Sequence, residues 1–361
     1  LGDVSRCFGE EYAQYRNRPV QRNPNRDFQL MSRVLEFEGN RHEFEKPMRI
    51  ISEYDVPEDA WFFQQNSHPE WMPYSVLMEI ALQPCGFISA NSGAMLIYPE
   101  LDLHYRNLDG NGTLSKHIDL RGKTIQAEVE LYSTVASGNT VIQKHRFLLK
   151  CEGLPFYEGD TVFGYFTDEA LENQTGLDGG KAKLPWLDEN TSHDMKVYRL
   201  NDSNSRLESG KPHLKLAGNQ LNLLDEVHLS PSVGSHGKGY AYGKRVVDPK
   251  DWFFPCHFHQ DPVMPGSLGV EAILQALQVF CLDQKLGDSF SNPRFRPSLS
   301  QTRWKYRGQI IPTTGIMQLE LHVSKIEKQD EQLMLVADAS LWRDELRIYE
   351  VQDISLVIEE A

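Results

Sequence analysis

The sequence predicts an α+β protein built from two similar units, each with one central helix and several long antiparallel strands. The segment at 60–83 is repeated at 251–275, which indicates a tandem duplication. Helical periodicity is clear only at these repeats, and long segments in which apolar and polar residues alternate follow them. Such alternation is typical of strands that bury one face. The 361 residues also exceed what one ordinary core usually holds.

The repeated segment has the same order of features in both copies. AWFFQQNSHPEWMPYSVLMEIALQ and DWFFPCHFHQDPVMPGSLGVEAILQ each contain a Trp-Phe-Phe run that we predict to be a strand, a Met-Pro turn and a helix. Glutamate and glutamine stand in equivalent places on the two helices, Glu79 with Gln83 and Glu271 with Gln275. Pro84 is expected to stop or kink the first helix.

The strands that follow each helix complete the two units. They are predicted at 124–135, 139–151, 316–326, 332–342 and 346–358.

The predicted organisation is a first unit at 1–167, a linker at 168–210 and a second unit at 211–361. The linker is rich in Gly, Asn, Ser, Asp and Pro. Because so long an unstructured connection is unusual in a compact protein, we expect part of it to lie across the units. The apolar residues available for this contact are Leu184, Trp186 and Tyr198.

The composition predicts a soluble, cytoplasmic protein. Hydrophobic residues make up 40% of the chain and charged residues 24%. No uninterrupted apolar run approaches the ~20 residues of a membrane span, and the first residues lack the features of a signal peptide. The net charge of −14 argues against general binding to nucleic acid or anionic membranes, which both need a basic surface.

One stretch is locally basic, because no Asp or Glu occurs between Asp288 and Glu320. An acidic partner could dock there, or the charges could belong to a solvated outer strand face. The basic residues of this stretch are Arg294, Arg296, Arg303, Lys305 and Arg307.

The cysteines predict reduced thiols. They are five in number, widely spaced and free of any C-x-x-C pair, so neither a disulfide scaffold nor a zinc ribbon is expected. Cys256 precedes a candidate catalytic histidine, but neighbouring strand residues face opposite sides, so it is interpreted as a core residue.

Residues 256–271, CHFHQDPVMPGSLGVE, carry the strongest chemical signal. His257 is of a type that can take a proton near neutral pH, and Glu271 could donate one if burial raised its pKa. Gly266 at a helix start would let a carbonyl oxygen approach free backbone N–H groups. These groups suit the removal of water from a 3-hydroxyacyl group.

The motif HFHQDPVMPGSLGVEAILQ, with the later WKYRGQIIP, resembles the 3-hydroxyacyl-carrier-protein dehydratases of hot-dog fold. The closer branch is the FabA-like 3-hydroxydecanoyl dehydratase/isomerase. Tandem copies with one degenerate half further resemble the dehydratase regions of polyunsaturated fatty acid synthases. The resemblance implies a double hot-dog fold in which one chain imitates a dimer.

The resemblance also implies the substrate and the partners. A 3-hydroxyacyl thioester on the 4′-phosphopantetheine arm of an acyl carrier protein would become a 2-enoyl thioester, in fatty acid synthesis. No metal and no cofactor of the protein's own is implied. The carrier protein and other domains of a larger synthase would be the partners.

In the family, the base and the acid of one site come from different units. The resemblance therefore pairs His257 with Glu79, not with Glu271. The Gly266 N–H would bind the thioester oxygen, and the backbone carbonyl of Val263 would orient the histidine ring.

The first copy is expected to be degenerate, because Asn66 stands where the second copy has His257. An amide cannot act as a general base, so Asn66 facing Glu271 would be an inactive site. His68 lies two residues further on, and a shifted loop could bring it into use.

Several questions stay open from the sequence. Gln83 and Gln275, one turn beyond the acids, could orient them or be ordinary helical residues. The dehydratase/isomerase branch usually has aspartate where Glu79 and Glu271 stand, and the dehydratase-only branch has glutamate, so isomerisation is undecided.

Three other functions are compatible with parts of the sequence. His257, His259 and Asp261 could be metal ligands on one strand face, but Pro262 follows and a second ligand cluster is not evident. A non-catalytic acyl-binding or structural module and a hot-dog acyl thioesterase remain as alternatives.

Overall fold

Fourteen strands and six helices make up the structure, a computed structural model that describes residues 4–190, 194–201, 207, 210–329 and 331–360. The strands are β1 (Arg33–Glu38), β2 (Met48–Asp55), β3 (His104–Leu114), β4 (Thr124–Ser137), β5 (Thr140–Cys151), β6 (Leu154–Phe166), β7 (Lys196–Arg199), β8 (Glu226–Ser230), β9 (Tyr240–Val246), β10 (Pro293–Pro297), β11 (Gln301–Tyr306), β12 (Ile316–Gln329), β13 (Gln332–Arg343) and β14 (Leu346–Glu360). The helices are α1 (Ser5–Phe8), α2 (Trp61–Gln65), α3 (Tyr74–Asn91), α4 (Asp168–Glu172), α5 (Trp186–Glu189) and α6 (Gly266–Asp283).

The strands form one antiparallel sheet whose order is repeated in the two halves. It runs β1-β2-β4-β5-β6-β3 in the first half and continues β11-β14-β13-β12-β9-β8 in the second. The halves join where β3 pairs with β11, with Asp109 opposite Lys305 and Thr113 opposite Gln301. The order is symmetric about this junction, so the halves are related by an approximate twofold axis.

Each half wraps its sheet around one long helix, which confirms the predicted tandem hot-dog fold. Helix α3 packs against β2, β4 and β5, and α6 packs against β8, β9, β12 and β14. The two helices also contact each other. The strands follow the predicted alternation, and β5 buries every second residue along its length.

The prediction that Pro84 could stop the first helix is wrong. Helix α3 continues through Pro84 to Asn91. A proline removes one backbone hydrogen bond from the ladder, but burial of nearly the whole helix surface outweighs that loss. The segment Tyr74–Ile97 is long and apolar enough to span a membrane. However, 72% of its apolar 18-residue stretch is buried within the protein, as expected for a core helix.

The prediction that the Trp-Phe-Phe runs are strands is also wrong. In the first copy the run begins the short helix α2, and in the second copy residues 252–256 form consecutive turns. Phe62, Phe63, Phe253 and Phe254 are all buried. Periodicity cannot separate a short buried strand from a short buried helix, since both expose few polar residues.

The described part of the predicted linker packs largely on the second unit. The Trp186 ring lies 4.9 Å from that of Tyr240, and the Tyr198 hydroxyl donates to Asp283 at 2.5 Å. Strand β7 extends the sheet beside β8. Leu184, in contrast to the expectation, is exposed.

The basic stretch carries acidic partners that the sequence did not reveal, because they come from β14, from β3 and from the segment before α3. Of its five basic residues, Arg303 and Lys305 are exposed, and Arg296 is buried. The ion pairs are Arg294–Glu70, Arg294–Glu359, Arg296–Glu359, Arg303–Asp353 and Arg307–Asp109.

Candidate active site

Two cavities lie where the units meet, one on each side of the approximate twofold axis. The first, here called the His257 cavity, encloses about 830 Å³ when its open mouth is included. Its walls contain Glu79 and Gln83 from α3 of the first unit, and His257, Val263 and Gly266 from the second. The structure therefore brings together the crossed pair and not His257 with Glu271.

His257 is held in one orientation by the turn that follows it. Its Nδ1 lies 2.9 Å from the carbonyl oxygen of Val263. Since a carbonyl can only accept, Nδ1 carries the proton and Nε2 keeps its lone pair. Burial lowers the pKa of His257 to about 4, so the ring is neutral near pH 7. The ring of Phe258 stacks on it at 4.0 Å between centroids.

Glu79 lies in surroundings that favour its protonated form. Burial raises the pKa of Glu79 to about 7, although hydrogen bonds from Ser267 and Gln83 lower it in part. Ser267 Oγ donates to Oε1 at 2.7 Å, and Gln83 Nε2 lies 3.4 Å from Oε2. A neutral carboxylic acid and a neutral imidazole in one cavity are the forms that an acid and a base must have before proton transfer.

Gly266 is the first residue of α6, where backbone N–H groups have no intrahelical acceptor. A Cβ added here would lie 2.5 Å from Cε2 of Tyr306. Glycine is therefore the residue that fits at this wall of the His257 cavity. Sequence reasoning missed Tyr306, which no local pattern marks as a neighbour of Gly266.

The chain before β1 forms another wall of the His257 cavity. Asn25 N–H donates to the Cys256 carbonyl at 2.8 Å, just before the histidine. Gln83 accepts from Leu30 N–H at 2.9 Å and donates to the Phe28 carbonyl at 3.0 Å. Gln83 thus joins this segment to α3 as well as touching the acid.

An ion pair across the unit interface holds the turn between His257 and Val263. Arg106 of β3 donates to both oxygens of Asp261, at 2.6 Å each, and both side chains are largely buried. Burial raises the pKa of Asp261, but hydrogen bonds from His104 and Arg106 lower it by more, so Asp261 is ionised. The strand needed for a metal site at His257, His259 and Asp261 is not formed in this described segment.

The second cavity, here called the Asn66 cavity, encloses about 510 Å³ with its mouth. Glu271 lies here, and its Oε2 accepts from Ser75 N–H at 2.9 Å. Burial raises the pKa of Glu271 as well. Asn66 donates to the Trp71 carbonyl at 2.7 Å. Trp71 and Val263 both stand directly before Met-Pro, so they are equivalent residues. Asn66 therefore repeats the backbone contact of His257, but its amide cannot act as a general base.

Two further differences separate the Asn66 cavity from its counterpart. Tyr74 is the first residue of α3, where α6 has Gly266, and its buried hydroxyl accepts from Tyr157 at 3.3 Å. Tyr74 lines the Asn66 cavity, whereas its counterpart Gly266 is packed against the ring of Tyr306. The described residues that line this cavity include Asn66 and not His68, whose ring lies 6.3 Å from that of His213.

Gln275 has a structural contact that the sequence did not distinguish from a catalytic one. It accepts from Leu223 N–H at 2.9 Å and donates to Asn222 Oδ1 at 3.0 Å. This repeats the contact of Gln83 with Leu30. Ser267 and Ser75, which touch the two acids, were missed by sequence reasoning. Their repetition two residues after the Met-Pro turn, in both copies, is the signal that could have found them.

The thiols add no nucleophile to the described walls of the His257 cavity. Cys256 is buried, and burial raises its pKa. Cys7 is exposed, and the remaining three cysteines are buried.

Residues 216–352 match the family model of the FabA-like domain. Over 99% of its length the chain is 35% identical to a polyunsaturated fatty acid synthase polypeptide of a Thraustochytrium species. The chain spans 25% of the length of that relative.

Solved structures with a similar course of the chain include several dehydratases and a thioesterase. GphF dehydratase 1 aligns over 92% of this chain and 98% of its own, with a TM-score of 0.47 and 12% identity. A putative oleoyl thioesterase from Lactobacillus plantarum aligns over 86% and 96%, with a TM-score of 0.47 and 6% identity. Identities this low carry no information about the reaction.

Proposed function

We propose that the His257 cavity removes water from 3-hydroxyacyl thioesters and yields 2-enoyl thioesters. The match of residues 216–352 to the FabA-like family model supports this proposal. The activity would make the protein a lyase of fatty acid synthesis. The observation that carries the proposal is the meeting of His257 and Glu79, from different units, in one cavity, where burial lowers the pKa of the histidine to about 4 and raises that of the glutamate to about 7. The described residues that line the Asn66 cavity contain no such pair.

In this proposal His257 Nε2 takes the proton from C2 of the substrate. Nδ1 keeps its hydrogen bond to the Val263 carbonyl, which stabilises the imidazolium that forms. The thioester oxygen gains negative charge as the C2 proton leaves, and the Gly266 N–H at the helix start donates to it.

Glu79 gives its proton to the C3 hydroxyl, and the C3–O bond breaks with release of water. The electron pair from the C2–H bond forms the new C2–C3 double bond. Glu79 is then a carboxylate and His257 an imidazolium. Ser267 donates to the carboxylate at 2.7 Å, and return of a proton from the imidazolium to the carboxylate, through solvent or product water, restores both groups.

The proposal is tested by supplying 3-hydroxyacyl pantetheine thioesters and following the absorbance of the enoyl product. Mass and chromatographic analysis of the same reaction separates 2-enoyl from 3-enoyl products, which decides whether isomerisation accompanies dehydration. Release of free thiol without enoyl product would instead identify a thioesterase. Binding of the thioester with neither product would identify a non-catalytic acyl-binding module.

The pH dependence of kcat/KM should fall on the alkaline side as Glu79 loses its proton. Its pKa of about 7 is raised, so the active protonated form is present below that pH and lost above it. His257, with a pKa of about 4, stays neutral throughout this range. Measurement from pH 5 to 9 should show one falling limb near pH 7.

Two serine variants test the assignment of that limb. Ser267→Ala removes a donor that lowers the pKa of Glu79, so the limb should move to higher pH. Ser75→Ala removes the matched residue beside Glu271 and should leave the limb in place. A limb that moves with Ser75→Ala instead would assign it to Glu271.

An acyl carrier protein is the proposed donor of the substrate, with Lys305 and Arg307 near its docking site. Arg307 donates to the Leu108 carbonyl at 3.0 Å, and both Leu108 and Gly308 line the His257 cavity. Lys305→Glu should raise KM several-fold for a carrier-bound substrate, because rim charges mainly affect encounter. KM for the free pantetheine thioester should not change. An equal rise for both substrates would contradict docking at Lys305.

A further inference from the structure

One polar group in the wall of the His257 cavity has no part in the reaction as proposed. Tyr306 lines this cavity and is 4% exposed. Among the described residues its hydroxyl has no hydrogen-bond partner. Buried hydroxyl groups are nearly always paired, because an unpaired one loses its bonds to water and gains none in return. A ligand in the cavity can supply the missing acceptor.

The ring of Tyr306 lies on the side of α6 to which the free backbone N–H groups point. A Cβ added to Gly266 would lie 2.5 Å from Cε2 and 3.0 Å from Cζ of this ring. In a helix the Cα–Cβ bond tilts towards the N-terminus, where the first N–H groups have no intrahelical acceptor. Because the hydroxyl is one bond from Cζ, it lies beside the end of α6 that is proposed to bind the thioester oxygen.

The Tyr306 hydroxyl stays protonated at the pH values that matter for the candidate acid. Burial raises the pKa of Tyr306 well above its usual value, and the charges of Tyr349 and Glu79 raise it further. A neutral phenol can donate its hydrogen to an oxygen acceptor. Tyr306 is therefore a donor over the whole range in which Glu79 changes its charge.

The residue that matches Tyr306 in the first half of the chain is Leu114. The 192 residues that separate Glu79 from Glu271 also separate Leu114 from Tyr306. Leu114 is buried, and its side chain has no group that can donate a hydrogen bond. The phenol therefore lies at the cavity that also has the candidate base, and an apolar side chain stands at its counterpart.

We propose that the Tyr306 hydroxyl is a second hydrogen-bond donor to the thioester oxygen, beside the Gly266 N–H. This inference rests on the proposed function. As His257 takes the C2 proton, negative charge develops on that oxygen, and a donor already fixed in a buried wall stabilises the charge more than it stabilises the neutral thioester. No covalent bond to Tyr306 forms or breaks, and its proton stays on the phenol oxygen.

The variant Tyr306→Phe removes the hydroxyl and keeps the ring that packs on Gly266. We expect kcat for a 3-hydroxyacyl pantetheine thioester to fall about 100-fold, as on removal of other such donors, with KM within about 3-fold. The matched control is Tyr349→Phe. The Tyr349 ring lines the same cavity, 4.2 Å from that of Tyr306 between centroids, and packs on Gly269. Its loss of a hydroxyl should change neither constant.

Infrared difference spectroscopy of a bound thioester tests the hydrogen bond itself. The probe is octanoyl-pantetheine with an isotopic label at its carbonyl carbon, which has no 3-hydroxyl group and cannot be dehydrated. A hydrogen bond to a carbonyl oxygen weakens the C=O bond, so the band of the bound thioester should lie at lower frequency than that of the free one. Tyr306→Phe should move the band back towards the free value, and Tyr349→Phe should leave it in place.

The outcomes separate this inference from the proposed function. A Tyr306→Phe variant that keeps more than about a third of kcat, or a carbonyl band that does not move, overturns the inference and leaves the dehydratase intact. If the unmodified chain turns over no 3-hydroxyacyl thioester, the proposed function fails, and the infrared result alone decides whether Tyr306 donates to the thioester oxygen. A chain that binds no acyl thioester overturns both.

Discussion

Replacement of His257 by asparagine should lower the rate of dehydration by about 100-fold or more, because the variant removes the base that takes the C2 proton. The chain itself indicates that the substitution is compatible with the fold. At the matched position Asn66 donates to the Trp71 carbonyl at 2.7 Å, as the His257 ring does to Val263 at 2.9 Å. The asparagine should therefore keep the turn and lose only the proton transfer. Initial rates of enoyl formation measure the effect.

The matched control for His257→Asn is Asn66→Ala in the other cavity. It removes the corresponding backbone contact, which His257→Asn should keep, and so measures what loss of that contact alone costs. We expect Asn66→Ala to retain most of the rate, with circular dichroism unchanged for both proteins. A His257→Asn variant that keeps more than about a tenth of the rate would show that another group is the base.

Replacement of Glu79 by glutamine should also lower the rate by about 100-fold or more, whereas Glu271→Gln should leave it within about 2-fold. Glutamine has nearly the same shape and can still accept from Ser267, but it cannot protonate a leaving hydroxyl. Glu271 lies in the Asn66 cavity, where its oxygen accepts from Ser75. The comparison therefore separates the loss of the proton donor from the loss of a buried carboxyl group as such.

The two glutamate variants are the sharpest test of the crossed pairing. Both remove a buried carboxyl group from an equivalent place on a core helix, so similar changes in stability are expected. Loss of activity with Glu271→Gln alone would contradict the crossed pairing of His257 with Glu79. Loss with both variants would mean that the Asn66 cavity contributes to turnover or to stability. Thermal melting of the two proteins distinguishes those cases.

Two local errors of sequence interpretation have different causes. The Trp-Phe-Phe runs were predicted as strands because their burial is visible in the sequence, whereas their backbone conformation, with local bonds such as Phe63 N–H to the Ala60 carbonyl, is not. The basic stretch was compared only with residues nearby in sequence, whereas its acidic partners are distant along the chain, on β14, on β3 and at Glu70.

The sequence by itself determined the duplication, the hot-dog fold and the residue types of the candidate site, because each is encoded in local patterns and in a long motif around His257. The tertiary structure decided which glutamate shares a cavity with that histidine. The carboxyl group of each glutamate accepts a hydrogen bond from a serine of the other unit, Glu79 from Ser267 and Glu271 from Ser75. It also decided that Tyr306 packs against Gly266, where no side chain could be added, while Tyr74 lines the other cavity. These distinctions depend on packing between two units whose sequences are alike, and only the folded interface brings the side chains of one unit against those of the other.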